Sequence, residues 1–213
     1  MADRLRRSVS VVSDGRTLPG DLVIPDGANA VVAFAHGSGS SRGSPRNVGV
    51  AERLQVAGLA TLLFDLLTDV EAHDRGKVFD IELLARRLEG AVGWLRADPD
   101  VRELPIGLFG ASTGAAAALV AAAHLGPDVA AVVSRGGRPD LAAEALEVVS
   151  APTLLIVGGA DTQVLELNRQ AQARMRGETR LEIVPGATHL FDEPGALERA
   201  AELAVAWIAD HAG

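Results

Sequence analysis

The feature that most restricts this chain is an alternation. Short runs of β-branched and aliphatic residues are separated by longer stretches whose apolar residues recur three and four apart. Such a rotation buries its apolar surface when parallel strands are joined by helical crossovers that cover both faces of one sheet. The fold class is therefore α/β. Strands are predicted at Val9–Ser13, Leu22–Pro25, Ala30–Ala35, Ala60–Asp65, Pro105–Phe109, Ala130–Ser134, Thr153–Val157 and Arg180–Pro185, eight in all. Helices are predicted at about Pro45–Ala57, Val78–Ala97, Thr113–Leu125, Pro139–Val149, Gln163–Met175 and Gly195–His211. The first two strands flank Asp14-Gly15 and Pro19-Gly20, a connection too short for a crossover helix. They read as an antiparallel pair at one edge of a mostly parallel sheet.

No repeat, low-complexity tract or long linker divides the 213 residues, so one domain over 1–213 is expected. With 48% hydrophobic and 23% charged side chains, the composition is that of a globular chain and excludes disorder. The charge balance is 20 basic against 28 acidic residues, a net −8, and no basic cluster follows Arg4, Arg6 and Arg7. A nucleic-acid partner has nothing to hold it. No apolar stretch approaches the roughly 18–20 residues of a membrane span, and Met1-Ala-Asp-Arg lacks the apolar centre of a signal peptide. No membrane partner and a cytoplasmic location are expected, and self-association is left open. Cysteine is absent, which removes disulfides, zinc-thiolate sites and cysteine nucleophiles together. No His/Asp/Glu cluster has metal-ligand spacing, and the glycine loops lack both Gly-x-Gly-x-x-Gly and Gly-Lys-Ser/Thr. Neither a metal nor a cofactor is expected.

Gly-x-Ser-x-Gly occurs twice, at Gly110-Ala-Ser112-Thr-Gly114 and at Gly39-Ser-Ser41-Arg-Gly43. A nucleophile elbow needs a strand ending at the first glycine and a helix starting directly after the serine, because a tight, strained turn must expose the hydroxyl. Only Ser112 has that context, with Pro105–Phe109 before it and the alanine-rich run from Thr113 after it; Ser41 lies within a loop. The alternative for Ser112 is a helix N-cap without chemistry.

A serine hydroxyl needs a base, usually histidine. His124 ends the helix that Ser112 begins, about 18 Å away at 1.5 Å per residue, and His211 lies in the tail. His73 reads as a solvated loop residue and His36 as a structural one. His189, in the loop after the last strand, can turn back over the edge that carries Ser112. Asp161, just after the seventh strand, is the carboxylate placed to hold the tautomer of that histidine. Asp140 and Asp192 compete, the first as a first-turn acid and the second as an N-cap. The order Ser112, Asp161, His189 is that of the α/β-hydrolase class. Backbone N–H groups of Thr113 and Ser38 are the expected oxyanion donors, Ser38 because it lies in the glycine loop after the third strand.

The stretches His36-Gly-Ser-Gly-Ser-Ser-Arg, Gly110-Ala-Ser-Thr-Gly-Ala-Ala-Ala, Ser134-Arg-Gly-Gly-Arg-Pro-Asp-Leu and Pro185-Gly-Ala-Thr-His-Leu-Phe resemble the small dienelactone-hydrolase-related proteins of the α/β-hydrolase superfamily. The resemblance runs along nearly the whole chain. It implies a three-layer α/β-hydrolase fold without a cap domain, and a carboxylesterase-like serine hydrolase with Ser112, Asp161 and His189 as its triad and a small acyl substrate. Some relatives of this branch are joined to a phosphoribosyltransferase-like domain. The chain departs from dienelactone hydrolases proper, which use a cysteine nucleophile. A lactone or thioester substrate, and a non-catalytic ligand-binding protein on the same fold, are the alternatives. Arg42, Arg46, Arg135 and Arg138 fall near the active edge, and of these Arg42, Arg135 and Arg138 are the candidates for holding an anionic group on the substrate.

Overall fold

The computed structural model describes residues 4–212. Eight strands form one sheet in the order β1-β2-β4-β3-β5-β6-β7-β8. They are β1 (Arg4–Ser13), β2 (Arg16–Pro25), β3 (Val31–Ala35), β4 (Ala60–Phe64), β5 (Ile106–Ala111), β6 (Ala131–Arg135), β7 (Thr153–Gly158) and β8 (Thr179–Val184). β2 runs antiparallel to both β1 and β4, and every other pairing is parallel. The helices are α1 (Pro45–Val56), α2 (Arg75–Val78), α3 (Ile81–Ala97), α4 (Thr113–Leu125), α5 (Ala145–Val148), α6 (Thr162–Arg174) and α7 (Ala196–Ala212). This is the α/β-hydrolase fold, with no cap domain among the described residues. None of the described helices is long and apolar enough to cross a membrane.

Alternate residues of β3 enter two separate cores, as a strand's period of two requires. Val31, Ala33 and Ala35 pack with α3 and α4 on one face. Val32 and Phe34 pack with α1 and α7 on the other. From β3 the chain steps outward through α1 to β4, then returns through α3 past β3 to β5. Crossovers of one hand that run in opposite directions lie on opposite faces. The reversal leaves a crevice between the carboxyl ends of β3 and β5, the place where open α/β sheets bind ligands.

Three predicted boundaries change. The N-terminal hairpin is longer than Val9–Ser13 and Leu22–Pro25, because the whole turn is Asp14 (φ 47°) and Gly15 (φ 69°), with Ser13 paired to Arg16. Two consecutive positive φ values match the twist of a two-residue hairpin. Pro19 lies inside β2; alternation from the Ser13–Arg16 pair puts it opposite Ser10 at a non-hydrogen-bonded position, so its missing N–H removes no bond to β1. The predicted helix Val78–Ala97 starts later, as α3 at Ile81: Val78 ends the separate short α2, and the Asp80 side chain caps α3. Pro139–Val149 is not one helix: a 3₁₀ turn over Pro139–Ala142 ends at Ala143, whose φ of 48° cannot continue a right-handed helix, and α5 follows.

Candidate active site

The turn from β5 into α4 is built for close approach. A Cβ on Gly110 would stand 2.4 Å from Ala115 Cα, and one on Gly114 would stand 2.2 Å from the Ala35 carbonyl oxygen. Only glycine lets the helix start this near the strand ends. Thr113 to Ala122 are buried at every position, mostly as alanine, so α4 sits low on the sheet. Between the two glycines, Ser112 has φ 52° and ψ −120°, a conformation side chains rarely adopt. It stands at the N-cap position yet its side chain makes no capping bond, so a structural N-cap does not explain it.

Asp161 repeats the pattern at the start of α6. It too is an N-cap residue whose side chain makes no capping bond. Its Oδ2 lies instead 2.7 Å from His189 Nδ1. An ionised carboxylate can only accept, so Nδ1 donates this bond, and in the neutral ring Nε2 is then the nitrogen with the lone pair. The approach of the two loops depends on Gly158, where a Cβ would meet the Ala187 carbonyl oxygen at 2.3 Å. The Ala160 N–H donates to that same carbonyl at 2.9 Å. Glu193 fastens the histidine loop by accepting from the Thr188 N–H and hydroxyl at 3.0 and 2.6 Å. The competing carboxylates are engaged elsewhere, Asp140 by Arg138 and Asp192 by Arg46.

Ser112 and His189 line one cavity of about 400 Å³, with Ser38, Asn47, Arg135 and Leu190 among its other walls. Among the described residues the Ser112 hydroxyl has no hydrogen-bond partner within the chain. The loop after β3 is held from behind by His36, which is buried. Its Nε2 accepts from the Leu66 N–H at 3.1 Å and its Nδ1 donates to the Gly37 carbonyl at 3.0 Å. Burial pushes the His36 pKa down, against the Gly37 carbonyl and the Asp65 charge, and keeps the ring neutral. His36 is thus structural, as its sequence position suggests. Asp65 clamps the same loop by accepting from the Arg42 N–H at 2.7 Å and by pairing with its guanidinium. The Ser38 N–H donates to Thr113 Oγ1 at 2.8 Å, so this candidate oxyanion donor has a partner within the site. The Thr113 N–H opens a helix, where no intrahelical acceptor exists. A second cavity of about 240 Å³ lies across the loop, with Leu66, Leu67, Val78 and Leu84 on its apolar side and Ser41, the serine of the other motif, on its rim.

The three candidate substrate arginines separate. Arg42 pairs with Asp65 and Asp21, Arg138 pairs with Asp140 through two bonds of 2.8 and 2.7 Å, and neither lines the cavity of Ser112. Arg135 does line it, and is only 6% exposed. Burial above all, and then the nearby Arg46 charge, lower its pKa to about 10 against the opposing effect of Asp192, so it stays protonated at neutral pH. Asn47, buried on the first turn of α1, is a wall residue that sequence reasoning misses. Its only sequence signal is its place just after the glycine loop. No group of three or more His, Cys, Asp or Glu side chains among the described residues is placed to hold a metal ion.

A model of the family described as "Dienelactone hydrolase family" matches residues 20–210. A crystal structure of a dienelactone hydrolase from Anabaena variabilis is 55% identical, covers 99% of each chain and superposes with a TM-score of 0.96. Est1E from Butyrivibrio proteoclasticus, solved with ferulic acid bound, shares the fold at 19% identity and a TM-score of 0.79, over 95% of this chain and 100% of its own. Two curated proteins of Mycobacterium tuberculosis strains are each 60% identical over 203 residues. One is named "Putative phosphoribosyl transferase Rv0571c"; the match takes in 95% of this chain and 46% of that protein. The chain therefore spans about half the length of the curated relatives it matches.

Proposed function

This chain belongs to the dienelactone hydrolase family, and from that premise we propose that it is a serine hydrolase cleaving small esters through an acyl-enzyme. The observation that carries the reading is the Asp161–His189 bond of 2.7 Å, which engages Nδ1 and leaves Nε2 as the base nitrogen of the neutral ring in the cavity that also holds the strained Ser112. His189 Nε2 takes the hydroxyl proton as Ser112 Oγ attacks the ester carbonyl carbon, and Asp161 stabilises the imidazolium that forms. The Thr113 N–H holds the oxyanion, and the Ser38 N–H joins it when its bond to Thr113 Oγ1 is exchanged for the substrate oxygen. The carbon–oxygen bond to the alcohol then breaks, and the leaving oxygen receives the proton from His189. Water, deprotonated by the same nitrogen, cleaves the acyl-serine and releases the acid. A cavity of about 400 Å³ suits a small substrate. The cysteine nucleophile of dienelactone hydrolases proper has no counterpart, since the chain has no cysteine, and serine takes its place. The phosphoribosyl transferase name is carried by proteins of which this chain spans 46%, and the parts gathered around Ser112 are those of acyl transfer.

Labelling with a fluorophosphonate followed by peptide mass spectrometry tests the reading. An adduct on Ser112 that is absent from Ser112→Ala is expected; no adduct, or an equal one in the variant, would overturn it.

A further inference from the structure

The second cavity, of about 240 Å³, shares a wall with the cavity of Ser112: Gly37, Ser38, Gly39 and Ser40 line both. Two of these residues have no side chain, two carry only a hydroxymethyl group, and Ser38, Gly39 and Ser40 are exposed. The divider is therefore thin and reachable from solvent. Beyond it, Leu66, Leu67 and Leu84 bring buried core side chains to the cavity. Ala72, His73 and Val78 complete the lining from the segment after β4, and Glu71 fixes that segment in place. The buried Glu71 carboxylate accepts from the Thr68 N–H at 3.1 Å, from Lys77 Nζ at 3.3 Å and from the buried Arg87 at 3.2 Å. The cavity is thus preformed, as small-molecule sites usually are.

The lining specifies what such a site accepts. Among the described residues no lysine or arginine lines it, and Asp65 and Asp69 do. His36 is neutral and spends both ring nitrogens on the Leu66 N–H and the Gly37 carbonyl, while His73 donates from Nδ1 to the Asp69 carbonyl at 2.6 Å. An anionic ligand finds no counter-charge there, whereas an uncharged apolar group would cover Leu66, Leu67, Val78 and Leu84 at a gain. The position of His189 decides which end of an ester this is. The leaving oxygen must receive its proton from His189, which lines the cavity of Ser112 and not the second one. The alcohol half therefore stays beside His189, and the acyl half is the part free to cross the loop.

We propose that the second cavity takes the acyl chain of the ester, and that the preferred acyl group is unbranched, uncharged and about six to eight carbons long, since about 240 Å³ holds roughly eight groups of water-like volume. The proposal names the substrate class of the hydrolase reading and rests on it for the word substrate, but the cavity binds a neutral acyl chain whether or not Ser112 reacts.

The test is kcat/KM for 4-nitrophenyl acetate, butyrate, hexanoate and octanoate. It should rise by about three- to fourfold per added methylene up to the length the cavity holds. Ala72 is exposed on the cavity wall, so Ala72→Trp fills the space without disturbing the core, and the octanoate-to-acetate ratio should fall by about tenfold or more. Val78→Ala widens the cavity and should move the preferred length upward, an opposite direction that a folding defect does not mimic and that decides the matter if Ala72→Trp does not fold. Acetate esters of lengthening alcohols should give the same profile in the unmodified chain and both variants. Rates indifferent to acyl length, a length preference unchanged by both substitutions, or a response confined to the alcohol series overturns the acyl site. NMR titration of Ser112→Ala with octanamide and acetamide separates the two readings. Octanamide should bind about tenfold or more tighter, and adding Ala72→Trp should remove the difference. Such binding with no fluorophosphonate labelling of Ser112 in the unmodified chain overturns the hydrolase reading and leaves the cavity assignment standing; labelling with equal affinity for the two amides does the reverse.

Discussion

Asp80 and Ser112 occupy the same position, one residue before a helix, and both are residue types that favour it. Asp80 accepts from the Leu83 N–H at 2.9 Å and holds the start of α3 in the ordinary way. Ser112 makes no such bond, and its backbone at φ 52° is outside the region an N-cap uses. Asp74 and Asp161 repeat the contrast: the first accepts from the Gly76 N–H at 2.9 Å, while the second leaves the helix end alone and reaches His189. The two buried arginines divide the same way, Arg87 paired with Glu71 and Arg135 without a carboxylate among the described residues. Ser112, which makes no capping bond, and Arg135, whose Nε has no acceptor, both stand at the carboxyl edge of the sheet, at the ends of β5 and β6. A residue type suited to structural work but not performing it is therefore the more informative signal.

Substitutions can break or sharpen this contrast. The largest effect is expected at Ser112→Ala: ester hydrolysis should fall by about 10³-fold or more while the melting temperature stays put, because no cap bond is lost. A large loss of stability there would mean that the serine supports the fold after all. Asp161→Asn should lower kcat by about 10²- to 10⁴-fold by disturbing the His189 tautomer, again without unfolding the chain. On the committed side, Glu71→Ala strands the buried Arg87 and should remove about 3 kcal/mol or more of stability in urea denaturation. Asp80→Ala should remove about 1 kcal/mol with hydrolysis unaltered. The smallest effect concerns pH. The His36 pKa is held below the ordinary 6.5, so as pH falls through 6.5 the unfolded chain takes up the proton first. Stability should be highest above 6.5 and decline beneath it, and His36→Asn should flatten that part of the melting-temperature profile.

Much of the site was legible in sequence because its parts are local motifs at strand ends. The elbow is a strand, two glycines and a helix; Asp161 and His189 follow from counting strands. The commitments of the arginines were not legible. Arg138 finds Asp140 two residues away, but Arg42 finds Asp65 and Arg46 finds Asp192 only across the fold, and the isolation of Arg135 is a property of all its neighbours at once. The hairpin was read too short because Pro19 is a strand breaker in general and harmless opposite Ser10, at a position that is not hydrogen-bonded to β1. The helix proposed at Pro139–Val149 failed because its apolar pattern fits one turn on either side of Ala143, whose carbonyl accepts from Arg174 at 3.0 Å in place of a helical donor.

The alanines of α4 carry a consequence for how such a site tolerates change. They touch the sheet on one side and α3 on the other, and their small size fixes the spacing between layers. Each added methylene beneath this helix would act as a shim, lifting its first turn and the oxygen that precedes it relative to the histidine loop, which is anchored to different strands. The registration of the reacting atoms is thus a matter of clearances set by residues that meet no ligand.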